Sequence, residues 1–289
     1  MERNARLLVD LLRDRHPIVH ELGQHYLIDT SVLNTAIELA GDISQQHILE
    51  IGCGPGSLTH HLLRAGARVS AIEIDDASVE HMKRHFEEEI KSEQLTLIAG
   101  DALTVKWPTN IDAIVANIPY QISSPLLERM QRDVRTCPAV LLVQDEFADR
   151  MAMSIPPLDR GPLGLSLWLD YEIEMNRRVP ASCFSPQPRV TSRLIRLEPL
   201  NRLDSLDSDV DRRMFRQVTS QCFGDRRRKL RNLLKKSPRR LSRIPGWHRD
   251  RWQAAVDSIR NHPLMDERPD MLEPEDWLAL CTEISSFEG

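Results

Sequence analysis

From His47 onward, short apolar runs rich in β-branched residues alternate with stretches whose apolar residues recur at helical spacing. That alternation constrains the chain most, because parallel neighbouring strands need long crossovers, and helical crossovers must pack on the faces of one sheet. Strands are predicted at 47–51, 68–74, 95–99, 111–117 and 138–143, and helices at 57–65, 76–90 and 123–133. The pattern is that of an α/β, doubly wound, Rossmann-like domain. A strand-rich stretch is expected at 163–175, after a loop marked by Pro156-Pro157 and Arg160-Gly161-Pro162, and a strand at 193–197 closes this part. Residues 201–209 are polar and acidic and read as a linker. Beyond them 210–223, 227–236, 247–261 and 274–287 are helical candidates. A domain of 1–200 is therefore expected to precede a small, mainly helical one of 201–289.

Hydrophobic residues at 41% and charged residues at 28% suit a folded globular chain, and no apolar run approaches the 18 residues of a membrane span. The first sixteen residues carry Glu2, Asp10 and Asp14, with Leu7, Leu8, Leu11 and Leu12 at helical spacing. They read as an amphipathic helix rather than an export signal, so a cytoplasmic protein is expected. Five cysteines, without a C-x-x-C pair, argue against a disulfide framework and a zinc site. His81 and His85 flank Lys83 and Arg84 and read as a solvated helix face, so no metal is expected. The net charge of −5 conceals an asymmetry: residues 212–243 hold thirteen Lys and Arg against one acid, Asp225, leaving the rest of the chain at −17. One polyanion-binding face on an acidic body is implied. Taken alone, the run fits a solvated basic helix or, for Arg226-Arg227-Arg228-Lys229, a nuclear localisation stretch equally well.

Glu50-Ile51-Gly52-Cys53-Gly54-Pro55-Gly56 follows a predicted strand and precedes a helix, so Gly52 and Gly54 would form a tight turn that lets a ligand approach the backbone. Ser57 stands where a dinucleotide fingerprint would run on toward its third glycine, and no G-K-[ST] follows, which disfavours NAD and ATP. Glu73 ends the second strand, where a carboxylate can accept from both ribose hydroxyls of an adenosine-containing ligand. Asp101, after the third strand, can reach an adenine amino group. Asn117-Ile118-Pro119-Tyr120 follows the fourth strand and suits methylation of an exocyclic amine, whose lone pair is delocalised into the ring. The Asn117 oxygen and the Ile118 carbonyl, held by Pro119, could accept the two amine hydrogens and localise that lone pair, while Tyr120 stacks on the base.

With these parts in order, the chain resembles the ribosomal RNA adenine dimethylases, which dimethylate two neighbouring adenosines near the end of small-subunit rRNA. Gly23-Gln24-His25-Tyr26-Leu27 looks like the family's entry motif, N-I-P-Y-Q-I-S-S-P at 117–125 like its catalytic loop, and 184–190 like its F-x-P-x-P-x-V segment. Residues 224–235 are similar to its C-terminal basic helix. The resemblance implies an S-adenosylmethionine-dependent enzyme in which His25, Leu27, Gly52, Gly54, Glu73, Asp101 and Asn117 line the cofactor site. It also implies that Tyr120 and Phe184 sandwich a flipped adenine, and that Arg226, Arg227, Arg228, Lys229, Arg231 and Lys235 contact rRNA. His25 stands where bacterial members usually have Asn, and Thr191 replaces an Asp; Gln121 and Ser124 look more like the archaeal and eukaryotic branch.

The expected reaction is direct in-line displacement, repeated on one nitrogen, with acceleration from positioning and desolvation. The implied partner is an immature small subunit, bound by a monomer. Three rivals share parts of this pattern: a large-subunit rRNA adenine methylase, a DNA adenine or protein glutamine methylase, and a subunit assembly factor in which methylation is secondary.

Overall fold

The computed structural model describes residues 3–16, 23–200, 202–205 and 212–287. Its chain divides into two compact units, one of Met1–Ala148 with Glu172–Pro199 and one of Asp149–Tyr171 with Leu200–Gly289. Residues 149–171, which the sequence places in the first domain, group with the second unit. The expected boundary near residue 200 is thus one of three crossings.

The first unit opens with α1 (Ala5–Arg13), whose N-terminus is capped by the Asn4 side chain accepting from the Leu7 N–H at 2.9 Å and whose apolar face buries Leu8, Val9 and Leu12. There follow β1 (Tyr26–Leu27), α2 (Thr30–Ala40), β2 (His47–Ile51), α3 (Ser57–Arg64), β3 (Arg68–Glu73), α4 (Asp76–His85), α5 (Glu87–Lys91), β4 (Leu95–Ala99) and β5 (Ala113–Asn117). Then come α6 (Ser123–Asp133) and β6 (Ala139–Gln144); the chain crosses to the second unit within α7 (Asp145–Ala152), forms α8 (Pro162–Asp170) there, and returns for β7 (Tyr171–Val179), β8 (Phe184–Ser185) and β9 (Ser192–Pro199). A seven-stranded sheet runs β4-β3-β2-β5-β6-β9-β7, parallel from β4 to β6 and antiparallel between β6 and β9. Ile48, Leu49, Val69, Ala71 and Ile114 are fully buried in it, as central strands covered by helices on both faces require. The strand order reverses between β2 and β5, which opens a crevice at the carboxyl ends of both strands. Antiparallel β1 and β8 pair separately, Leu27 opposite Phe184.

Several expectations shift. The predicted helix at 76–90 breaks at Phe86 into α4 and α5. His81, expected on a solvated face, is 4% exposed, its ring 4.3 Å from that of His85, and burial pushes it down to about 4. The expected strand-rich stretch at 163–175 is α8 followed by β7. Leu165, Leu167 and Leu169 are all fully buried, and Gly164, Ser166 and Asp170 are buried between them, so this helix is covered around nearly its whole girth and shows no 3.6-residue apolar period.

The second unit adds α9 (Arg202–Ser205), α10 (Arg212–Phe223), α11 (Leu230–Leu233), α12 (Arg249–Ser258) and α13 (Pro274–Ser285), packed with α8 around Trp252 and Trp277. Asp170 of α8 is buried and pairs with Arg212 and Arg216 of α10 at 3.0 and 3.1 Å. The predicted helix at 227–236 shrinks to α11. Consecutive cations repel along a helix, and the Leu230 N–H donates to the Glu267 carbonyl (2.9 Å) instead of an i−4 partner. Of the expected linker, residues 201 and 206–209 lie outside the described residues. Among the described residues all five cysteines are free, and no helix is long and apolar enough to cross a membrane.

Candidate active site

The carboxyl ends of β2, β3 and β5 and the turn after β4 converge on a cavity lined by Gly52, Gly54, Glu73, Asp101, Asn117, Ile118, Pro119 and Tyr120, with His25 of the entry motif beside them. Sequence placed these residues in one site, and the fold brings them together. Gly52 and Gly54 have φ of +72° and +52°, where side chains are strained. A Cβ on Gly54 would meet the Tyr26 ring at 2.8 Å. The loop therefore keeps bare backbone against the cavity.

Glu73 organises that loop. Its Oε2 accepts from the Gly54 N–H at 2.7 Å, and its Oε1 accepts from the N–H groups of Ile74 and Asp75, both at 2.9 Å. Burial raises this carboxyl and the three amide donors oppose the rise. One Oε2 lone pair remains for a ligand hydroxyl. Asp101 accepts from the Leu103 N–H through Oδ1 at 2.8 Å, which leaves Oδ2. S-adenosylmethionine fits this set: bare glycine backbone, a carboxylate that can hold ribose and a second one at the next strand end, between apolar Ile51, Ile72 and Ile74.

Asn117 ends β5 with its amide orientation fixed. Nδ2 donates to the His25 carbonyl at 3.0 Å, and since a carbonyl only accepts, Oδ1 is the atom left to accept from a ligand. The His25 ring is tied as well, Nδ1 lying 3.0 Å from the Pro186 carbonyl, so that nitrogen carries the proton. Tyr120 lies against this imidazole, ring centroids 5.8 Å apart at 28°, and its hydroxyl is 2.6 Å from Ser192 Oγ. Burial raises the phenol, which stays neutral.

Two expected residues lie elsewhere. Leu27 and Phe184 are 4% and 2% exposed and belong to the apolar core, so neither lines the cavity; their strands hold the entry motif in place. Sequence reasoning missed Tyr26, Ile74 and Ser192. The signal for Ile74 was an apolar residue directly after a strand-end acid, and it stands 52% exposed at the cavity. In the second unit Arg226, Arg227, Arg228, Lys229, Arg231 and Lys235 are all exposed; Arg228 faces Asp225 at 3.9 Å, and Lys229 and Arg231 both pair with Asp266.

A sequence profile described as ribosomal RNA adenine dimethylase matches residues 16–244. A probable ribosomal RNA small subunit methyltransferase A of Haloarcula marismortui is 36% identical over 261 residues, covering 90% of this chain and 87% of its own. A ribosomal RNA small subunit methyltransferase A of Gloeobacter violaceus is 36% identical over 276 residues, 92% of this chain and 93% of its own. Among solved structures, a dimethyladenosine transferase from Plasmodium falciparum is similar with a TM-score of 0.73 and 27% identity, over 88% of this chain and 95% of that one. The 23S rRNA methyltransferase ErmE is similar with a TM-score of 0.63 and 25% identity, over 90% of this chain and 99% of that one. A glycine cradle, an amide fixed as an acceptor and relatives matched along nearly their full length agree: the chain belongs to the ribosomal RNA adenine dimethylases, S-adenosylmethionine-dependent methyltransferases.

Proposed function

We propose that this chain dimethylates two adjacent adenosines near the 3′ end of small-subunit rRNA, working as a cytoplasmic monomer on immature small subunits. The name shared by its curated relatives supports the choice of subunit. The observation that carries the chemistry is the orientation of Asn117, whose Oδ1 is freed for an incoming amine because Nδ2 is spent on the His25 carbonyl.

A flipped adenine stacks on Tyr120. Asn117 Oδ1 and the Ile118 carbonyl, held by the ring of Pro119, accept the two amine hydrogens and turn the nitrogen lone pair out of conjugation. S-adenosylmethionine, when bound, supplies a sulfonium methyl electrophilic enough to need no strong base. Glu73, Asp101 and the glycine loop hold the donor, while apolar Ile51, Ile72 and Ile118 line the cavity and keep water out of it. The amine proton leaves to solvent after transfer. Exposed Arg226, Arg227 and Lys235 grip phosphates, with Arg228, Lys229 and Arg231 beside them.

Labelled methyl transfer from S-adenosylmethionine to undermethylated small-subunit particles, large-subunit rRNA and duplex DNA, followed by nucleoside analysis, tests this reading. Dimethyladenosine in the small-subunit sample alone is expected. Label in large-subunit rRNA would replace the target, and tight particle binding without transfer would make the protein an assembly factor.

A further inference from the structure

Tyr120 opens a single 3-10 turn, Tyr120–Ile122, directly after Pro119. Its backbone is fixed there, but a phenol on a turn can still swing about χ1 and χ2. Two contacts remove that freedom: the hydroxyl bond to Ser192 Oγ at 2.6 Å and the His25 ring against its face. Anchored at Cβ and at the hydroxyl, the ring can only turn about the line joining them, and His25 limits that turn.

Ser192 is built to hold such a tether. It is fully buried at the start of β9, opposite Gln144 of β6. On one side the Thr191 carbonyl accepts from the Asp145 N–H at 3.0 Å, and on the other Arg193 is paired with Asp145 Oδ1 at 2.5 Å. Ser192 does not line the cavity, so its hydroxyl reaches the site only through Tyr120.

We infer that Ser192 is a positioning residue for Tyr120 and that its tether matters most in the second methyl transfer. The inference rests on the dimethylation proposed above. In the first transfer both amine hydrogens are held, one by Asn117 Oδ1 and one by the Ile118 carbonyl. The monomethylated amine has a single hydrogen, so one acceptor idles and the base loses half of its in-plane restraint. Orientation then depends on the stack against Tyr120, and any swing of the ring falls mainly on the second step.

The experiment compares wild type, Ser192→Ala, Tyr120→Phe and the double variant, in timed incubations of small-subunit particles with labelled S-adenosylmethionine, counting monomethyl- and dimethyladenosine. Ser192→Ala is expected to slow the second transfer about tenfold, the size of one lost buried hydrogen bond, so that monomethyladenosine accumulates. The first transfer slows less and the Kd for S-adenosylmethionine, read by calorimetry, stays unchanged. In the Tyr120→Phe background no hydroxyl remains to be tethered, so adding Ser192→Ala shifts the product ratio no further. A wild-type product ratio in Ser192→Ala, or an undiminished effect of Ser192→Ala in the Tyr120→Phe background, overturns the inference. If Ser192→Ala fails to fold, Tyr120→Phe alone breaks the same bond and must raise the monomethyl fraction. Thermal unfolding of the four proteins reads the bond without RNA: non-additive midpoints are expected, and additive ones overturn the tether. A wild type that transfers no methyl defeats the dimethylation reading, and with it the second-step role, while the unfolding cycle still decides whether the tether exists.

Discussion

Asn117 shows how one hydrogen bond orients a side chain, since the His25 carbonyl decides which end of the amide faces the cavity. Asn117→Asp keeps the shape but puts an oxygen against that carbonyl. Methyl transfer is expected to fall about 10²- to 10³-fold, as when an electrostatic contact made in the transition state is lost, with little change in cofactor affinity. Single-turnover rates and calorimetry separate the two. Glu50, beneath the glycine loop, is 1% exposed, accepts from Thr59 Oγ1 at 2.6 Å and is pushed by burial up to about 8. Its carboxyl is thus protonated in the folded chain where it is ionised in the unfolded one, so its contribution to stability is full below the ordinary carboxylate range and is lost as pH rises to about 8. Glu50→Gln cannot titrate. Relative to wild type it should gain on the order of 1 kcal/mol of stability per pH unit between about pH 5 and 8 and nothing beyond, and a flat difference in urea denaturation across that range would count against the buried acid. At this scale the sequence was informative where chemistry demanded one residue type at a strand end, as with Glu73 and Asn117. It was silent on facing: Leu27 and Phe184 carry the motifs but point into the core, and Ser192 meets Tyr120 from seventy-two positions away.

Among elements, the basic segment departs furthest from the helix that its composition suggested. Like charges crowd 226–229, and the backbone there forms a turn that leads into the single helical turn of α11. The turn exposes Arg226 and Arg227, while Asp266 draws on Lys229 and Arg231. Arg226→Ala with Arg227→Ala should weaken rRNA binding and lower the slope of log affinity against log salt by about two, without moving cofactor affinity. Asp266→Asn should do the opposite, tightening binding and steepening the slope, because two cations are released at little cost to stability in an exposed pair. Filter binding across a salt series measures both, and an unchanged slope in either would remove this turn from the RNA interface. Elements with a clear period, such as α6 and β4, were legible to the residue. Helix α8 was not, because burial on nearly every side erases amphipathic patterning; only Gly161-Pro162 at its start marked a helix N-terminus.

In the whole molecule, the sequence shows the change from alternating to helical patterns near residue 200 but not the earlier excursion of 149–171, since nothing local tells α8 which core it will join. The two cores nevertheless answer to different perturbations. The cofactor cavity belongs wholly to the first unit, whereas Asp170 joins α8 to α10 within the second. S-adenosylmethionine at about a hundred times its Kd should add about 2.7 kcal/mol to the unit that holds it. Asp170→Asn leaves Arg212 and Arg216 without their shared carboxylate and should lower the other unit by roughly 2 kcal/mol, less than a fully buried pair would lose because both arginines are partly exposed. Differential scanning calorimetry should then show two components that move independently, the ligand raising one and the substitution depressing the other. A single transition shifted as one by both would mean that the two cores unfold as one cooperative body, so that tightening the cofactor site also stabilises the helical unit.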